Sequence, residues 1–303
     1  MEAVLQIECL RKVYGQVAAA DDISFEVHQG EIFGIVGPNG AGKTTTVECA
    51  VGLRQPDNGT IRILDLDPRR QGYELRQRIG IQLQQAALPD RLKVWEALDM
   101  FASFYAQPAD WHVLLEQWGL ADKHNAAFAS LSGGQRQRLF IALALVNNPE
   151  LVLLDELTTG LDPQARRATW ELVRSIREHG TTVILVTHFM DEAERLCDRV
   201  AIIDQGQVVA LDTPRQLIGM LEAGTRIRFT PEDGFNLALL KSAQGITEVS
   251  REGDEVIVAG NGPLMARVAV TLAEHNIIPP DLRTEQASLE DVFLALTSRQ
   301  IRN

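Results

Sequence analysis

The spacing of apolar and polar residues changes period several times along the chain. Val4-Leu5-Gln6-Ile7 and Ile23-Ser24-Phe25-Glu26-Val27 alternate or cluster β-forming residues, with turns at Tyr14-Gly15 and Gln29-Gly30. Residues 3–35 therefore predict an antiparallel β flap. Three later runs are apolar without alternation: Glu31-Ile32-Phe33-Gly34-Ile35-Val36, Leu151-Val152-Leu153-Leu154 and Thr181-Thr182-Val183-Ile184-Leu185-Val186. Runs of this kind suit central parallel strands covered on both faces. Shorter strands are expected at Thr60–Leu64, Ile79–Gln84, Val200–Ile203 and Val208–Ala210, and helices at Thr45–Val51, Pro163–Arg177 and Met190–Cys197. From about 88 to 148 the period is helical, carried by Val94, Leu98, Phe101, Tyr105, Val113, Leu114, Trp118 and Leu139 to Val146. Strands alternating with helices predict an α/β fold with a parallel sheet, and the all-helical stretch reads as an insertion whose aromatic residues belong to its core.

A boundary is expected near Leu221-Glu222-Ala223-Gly224, which separates a domain of residues 1–222 from an accessory domain of residues 224–303. The second part parses as strand 226–230, helix 235–243, strands 246–251 and 255–259, helix 263–275, strand 277–284 and helix 288–298. The first six elements have the βαββαβ order of a ferredoxin-like α+β unit. Ser288-Leu289-Glu290-Asp291 fits a capping box opening the last helix.

Composition narrows the function classes. The chain has 303 residues, 45% apolar and 23% charged, the balance of an ordinary globular protein. Its 29 basic and 41 acidic residues give a net charge of −12, which argues against a nucleic-acid surface as the main business, so no nucleic-acid partner is expected. Cys9, Cys49 and Cys197 are widely spaced and read as reduced, mostly packed thiols. The N-terminus has no signal-peptide pattern, and no apolar run reaches the ~18 residues that span a bilayer.

The chemistry begins at Gly37-Pro38-Asn39-Gly40-Ala41-Gly42-Lys43-Thr44, which matches G-x-x-x-x-G-K-[ST] between an expected strand and an expected helix. Glycines let several backbone N–H groups point at phosphate oxygens, above the positive end of the following helix. Lys43 adds a charge for the β- and γ-phosphates, and the Thr44 hydroxyl is a ligand for Mg²⁺. The plainer reading is a Gly-rich turn, which explains neither the lysine nor the flanking elements. Tyr14, in the first turn, is either a surface aromatic or a ring that stacks on the base.

Asp155 and Glu156 end a buried strand, where ligand groups of open α/β sheets collect. Asp155 suits the Mg²⁺ of a phosphate-loop enzyme, and Glu156 suits the general base that polarises water. His188 also follows a buried strand, as a structural histidine or a γ-phosphate contact. Gln84 is likewise either a strand-end amide or a ligand to Mg²⁺ and water. Leu131-Ser132-Gly133-Gly134-Gln135 opens a strong helix and reads as a second anion-binding station. Two stations in one chain invite a dimer in which each faces the other subunit's nucleotide.

Taken together, Gly37–Thr45, Gln84, Leu131–Gln135, Leu151–Glu156, Gly160-Leu161-Asp162-Pro163 and His188 stand in the order found in ATP-binding subunits of ABC transporters. They resemble the Walker A, Q-loop, signature, Walker B, D-loop and H-loop segments of that family, over roughly residues 3–220. Residues 224–303, ending Ala287-Ser288-Leu289-Glu290-Asp291-Val292-Phe293, resemble the extension of drug-exporter (daunorubicin-resistance-like) subunits. The resemblance implies an ATPase with a P-loop NTPase core and a head-to-tail homodimer. Two ATP molecules would lie between Gly37–Thr45 of one subunit and Ser132, Gly133, Gly134 and Gln135 of the other, with Asp162 at the junction. Tyr14 would stack on adenine, Lys43 and His188 would contact phosphates, and Glu156 would activate water. Thr44, Gln84 and Asp155 would attend Mg²⁺, with Gln84 linking nucleotide state to an integral membrane permease. The protein would then be cytoplasmic, peripheral on the inner face of the cell membrane, and would power an exporter.

One departure is Leu157, where the family pattern has Pro after the two acids. Leu restores an N–H and relaxes φ, so a modest local effect is expected. The rival reading, an ABC-type ATPase acting on ribosomes or DNA, fits less well with a single phosphate loop, no long heptad insertion and an acidic balance.

Overall fold

The computed structural model describes residues 2–84, 86–221, 226–231, 234–241, 243–260, 262–285 and 287–300, with side chains to 297. The chain forms two compact units, Met1–Pro214 and Arg215–Asn303. Residues 222–224, the break expected from the sequence, lie outside the described residues.

The first unit opens with a long hairpin, β1 (Ala3–Tyr14) and β2 (Val17–His28). β3 (Ile32–Val36) leads through the phosphate loop into α1 (Lys43–Ala50), and β4 (Asn58–Ile63) returns beside β1. These give an antiparallel three-stranded flap, β2-β1-β4. α2 (Gly72–Arg78) and β5 (Ile79–Gln82) precede the helical segment of α3 (Val94–Ala102), α4 (Trp111–Gln117) and α5 (Gly133–Ala144). β6 (Leu151–Asp155), α6 (Pro163–Glu178), β7 (Thr182–Thr187), α7 (Met190–Leu196), β8 (Arg199–Asp204) and β9 (Gln207–Asp212) complete the unit.

The large sheet has the order β5-β6-β7-β3-β8-β9, parallel except for β9. Every residue of β3, β6 and β7 is buried, as unbroken apolar runs require. β7 lies between β6 and β3, so the loops that leave these three strands emerge side by side. That edge is where ligands bind in open α/β sheets.

In the second unit α8 (Pro214–Gly219), which begins at the junction, is followed by β10 (Arg226–Phe229), α9 (Ala238–Lys241), β11 (Ile246–Glu252), β12 (Glu255–Gly260), α10 (Leu264–Glu274), β13 (Arg283–Glu285) and α11 (Leu289–Gln300). The order β11-β12-β10-β13, with every neighbouring pair antiparallel, is the ferredoxin-like arrangement. Phe229, Leu240, Val258 and Val268 centre its core. The capping box is present: the Ser288 N–H donates to Asp291 Oδ2 at 2.9 Å, and the Asp291 N–H to Ser288 Oγ at 3.3 Å.

Several elements differ from expectation. β1 is 12 residues long, because bulges interrupt its alternation without ending its pairing. The strand expected over 277–284 shrinks to Arg283–Glu285, since Pro279 and Pro280 cannot donate to a ladder. The helix expected over 235–243 is reduced to Ala238–Lys241, and residue 242 lies outside the described residues. In the helical segment Val94, Leu98, Leu114 and Trp118 are buried, but Val113 is exposed, and Phe101 and Tyr105 line a groove instead of filling the core.

Candidate active site

Tyr14, Asn39, Gly40, Gly42, Lys43, Thr44, Thr45, Gln84 and Glu156 line one open cavity of about 390 Å³ at the strand ends. The phosphate loop is shaped by close approach. A Cβ at Gly42, whose φ is +105°, would overlap the Ala19 carbonyl oxygen, and one at Gly37 would overlap that of Ile203. Gly42 is also the left-handed N-cap of α1, which aims the first N–H groups of that helix into the cavity. Thr44 is exposed at the cavity wall.

Lys43 is only 5% exposed, and its Nζ donates to the Gly37 and Pro38 carbonyls at 2.8 and 2.9 Å. Burial lowers its pKa, and the Glu156 and Asp155 charges partly restore it. The ammonium thus closes back on its own loop, within reach of any anion that displaces those carbonyls.

At the end of β6, Asp155 is 1% exposed, and neither carboxylate oxygen has a well-formed hydrogen bond. Burial pushes its pKa up to about 6, helped by Glu156; Lys43 and the Gln84 backbone pull weakly the other way. A buried carboxylate without a well-formed hydrogen bond is costly to the protein alone. Such a donor suits a hard divalent cation, and the Thr44 hydroxyl in the neighbouring wall is of the same oxygen chemistry. These residues fit Mg²⁺.

Glu156 is held on three sides. Gln84 Nε2–H donates to its Oε2 at 2.6 Å, the Thr159 hydroxyl to the same oxygen at 3.3 Å, and His188 Nδ1 lies 3.1 Å from Oε1. A carboxylate acceptor makes Nδ1 the donor, leaving the Nε2 side of His188 for another contact. The Glu156 backbone has φ +50°, in the left-handed region, and its N–H pairs with the Val186 carbonyl at 2.8 Å. Strain of that kind, fixed by a sheet bond, accompanies sites where a side chain must be aimed. Leu157 follows with 1% exposure.

Ser132, Gly133, Gly134, Gln135 and Asp162 do not line this cavity. Ser132 caps α5 in a reciprocal box with Gln135, and Asp162 caps α6 by accepting from the Gln164 and Ala165 N–H groups. Gly133 and Gly134 approach Leu161 and Ala165 respectively, so the two capped helix starts are neighbours.

Three contributors were not visible in the sequence. Thr159 supports Glu156 from the next turn. Glu192 on α7 is fully buried; its Oε1 accepts from Trp170 Nε1 at 3.0 Å, while Oε2 lacks a well-formed bond. Burial raises its pKa, against weaker pulls from Thr187, Trp170 and Thr158. An acid at an inward helical position was the available signal. The third contribution is a pair of cations, Lys12 and Arg54, beside the Tyr14 ring.

The family described as "ABC transporter" matches residues 20–159. Over 309 residues the chain is 38% identical to Nod factor export ATP-binding protein I of Ralstonia nicotianae, covering 99% of this chain and 95% of that protein. A solved ATP-binding subunit of an ABC transporter superposes with a TM-score of 0.65 at 28% identity, over 72% of this chain and 92% of that one. A bacterial ABC transporter cassette solved as a dimer gives 0.61 at 28% identity, over 69% and 98%.

Proposed function

The chain belongs to the family of ABC transporter ATP-binding subunits, and we propose that it powers a separately encoded exporter permease through closure of a head-to-tail homodimer. It is an ATPase of that family. The observation that carries the reading is Glu156, aimed by a left-handed backbone and three side chains into the cavity of the phosphate loop.

In this reading the phosphates of ATP rest on the N-terminus of α1, and Lys43 exchanges the Gly37 and Pro38 carbonyls for β- and γ-phosphate oxygens. Asp155, Thr44 and Gln84 would hold Mg²⁺, which neutralises charge on the phosphates. The Gln84 amide nitrogen is committed to Glu156, so its oxygen is the atom left for a cation. Glu156 takes the proton of the attacking water, and His188 fixes the carboxylate while presenting its other nitrogen to the γ-phosphate. Through this bond Gln84 joins Glu156 to the segment on either side of it.

That segment borders a groove of about 370 Å³ lined by Ile81, Leu83, Leu88, Phe101, Tyr105 and Phe140. We assign this groove to the permease, since a shift at Gln84 reaches it within three residues. Among the described residues no helix is long and apolar enough to cross a membrane. In this reading the subunit sits at the inner face of the cell membrane through the permease. Export follows the printed role of the Ralstonia relative. The signature stretch Ser132–Gln135 and Asp162, which do not line this chain's own cavity, would complete the site of a second copy.

Sedimentation of purified Glu156→Gln protein under saturating Mg-ATP tests the dimer. A stable ATP-loaded dimer is expected; a monomer would sink the head-to-tail reading. Co-purification from membranes is expected to recover a polypeptide with several ~20-residue apolar spans.

A further inference from the structure

Tyr14 ends β1 at the tip of the flap, 41% exposed and walling the nucleotide cavity. An aromatic ring on a hairpin tip has little packing to hold it. Two cations lie beside this one: the Arg54 guanidinium carbon is 5.3 Å from the ring centroid, and Lys12 Nζ is 5.7 Å. Both distances fall within the ~6 Å reach of a cation–π contact.

Each cation is itself held in place. Arg54 Nε donates to Glu48 Oε2 at 2.6 Å, and the Arg54 backbone N–H donates to the Glu48 carbonyl at 3.0 Å. Glu48 belongs to α1, the helix that carries the phosphate loop. Lys12 Nζ donates to Asp57 Oδ1 at 2.9 Å, and Asp57 Oδ2 accepts the N–H of Val13, the neighbour of Tyr14, at 2.7 Å. These bonds keep the Asp57 carboxyl below the usual range, first through Val13 and then through Lys12. Asp57 is therefore ionised at ordinary pH. Lys12 on β1 and Arg54 in the loop after α1, 42 positions apart in the chain, thus meet at one ring.

We propose that Arg54 and Lys12 are positioning residues that clamp the Tyr14 ring for the nucleotide base and tie it to the phosphate-loop helix. The proposal rests on reading Tyr14 as the base-stacking residue. A ring already fixed loses less freedom when the base arrives, so the clamp acts on base affinity and not on phosphate affinity. The competing view treats these contacts as ordinary surface ion pairs, which carry little energy.

Calorimetric titration separates the two views, using ATP and inorganic tripolyphosphate in Mg²⁺ buffer. In Arg54→Met and Lys12→Met, ATP binding is expected to weaken about two- to fivefold each, with tripolyphosphate binding unchanged. Arg54→Lys, which keeps the charge, is expected to restore most of the loss. KM for ATP should rise in the Met variants while kcat holds. In a Tyr14→Ala background, Arg54→Met should have no further effect. Equal losses for ATP and tripolyphosphate, or a loss that persists without Tyr14, would overturn the clamp by placing the action of Arg54 on α1. A Tyr14→Ala loss without any loss in Arg54→Met and Lys12→Met would overturn the clamp alone. An unchanged ATP affinity in Tyr14→Ala would overturn the stacking reading and the clamp with it.

Discussion

At the end of β6, Asp155 is 1% exposed with neither oxygen in a well-formed hydrogen bond, while on the sheet of the second unit Arg228 is flanked by Glu252, Glu255 and Glu285. Arg283 joins the same ladder through Glu255, and Arg226 pairs with Asp291. The two clusters have opposite energetics. Charges on the second sheet are partly in water and mutually satisfied, a state that holds a surface together weakly. Beside the phosphate loop Asp155 is desolvated and short of partners, and Lys43 is desolvated against two carbonyls, which costs the folded chain free energy. A protein keeps such groups where a ligand completes them, so the unsatisfied cluster marks function and the satisfied one marks structure.

Substitutions should separate the two clusters sharply. The largest effect is expected for Lys43→Ala, with ATP turnover falling about 10²-fold or more as a charge on the phosphates is lost. Its melting temperature should stay level or rise, because a desolvated amine has been removed. Asp155→Asn should abolish Mg²⁺-dependent nucleotide binding yet stabilise the metal-free protein near pH 7. The sign follows from a folded pKa of about 6, above the usual 3.8: the bound proton stabilises the fold at low pH, and that contribution is lost as pH rises through 6. The gain in Asn is at most about 3 kcal/mol, read by denaturant unfolding.

Glu192 tests the same logic away from the phosphates. Its pKa is also raised by burial, so its protonation stabilises the fold below the ordinary carboxylate range and fades as pH rises through the folded pKa. Glu192→Gln should flatten the pH dependence of unfolding by up to about 1.4 kcal/mol per pH unit. The smallest effect belongs to the second unit. Arg228→Ala should cost about 1 kcal/mol or less in unfolding and leave ATP turnover unchanged.

Much of this contrast could be read from residue order. The apolar runs at 31–36, 151–154 and 181–186 became β3, β6 and β7, because burial on both faces leaves no room for polar alternation. The βαββαβ order of the second unit was equally plain. Less visible were α2, a short and mostly polar helix, and the full reach of β1, whose bulges and left-handed Cys9 interrupt the period on which the reading depends. In the site, Lys43, Thr44, Asp155 and Glu156 were marked by local motif and strand context. Thr159, Glu192 and the Arg54–Tyr14 contact were not, since each depends on how separate turns and strands fold together. Motif reading finds the groups that meet the ligand more readily than the groups that hold them.

The central claim is that Glu156, aimed by Gln84, Thr159 and His188, is the base that splits ATP. Phosphate release at saturating Mg-ATP, compared between the wild-type protein and Glu156→Gln, tests it most directly. The account predicts a rate lower by about 10²- to 10⁴-fold with ATP still bound. Turnover by Glu156→Gln at the wild-type rate would contradict it.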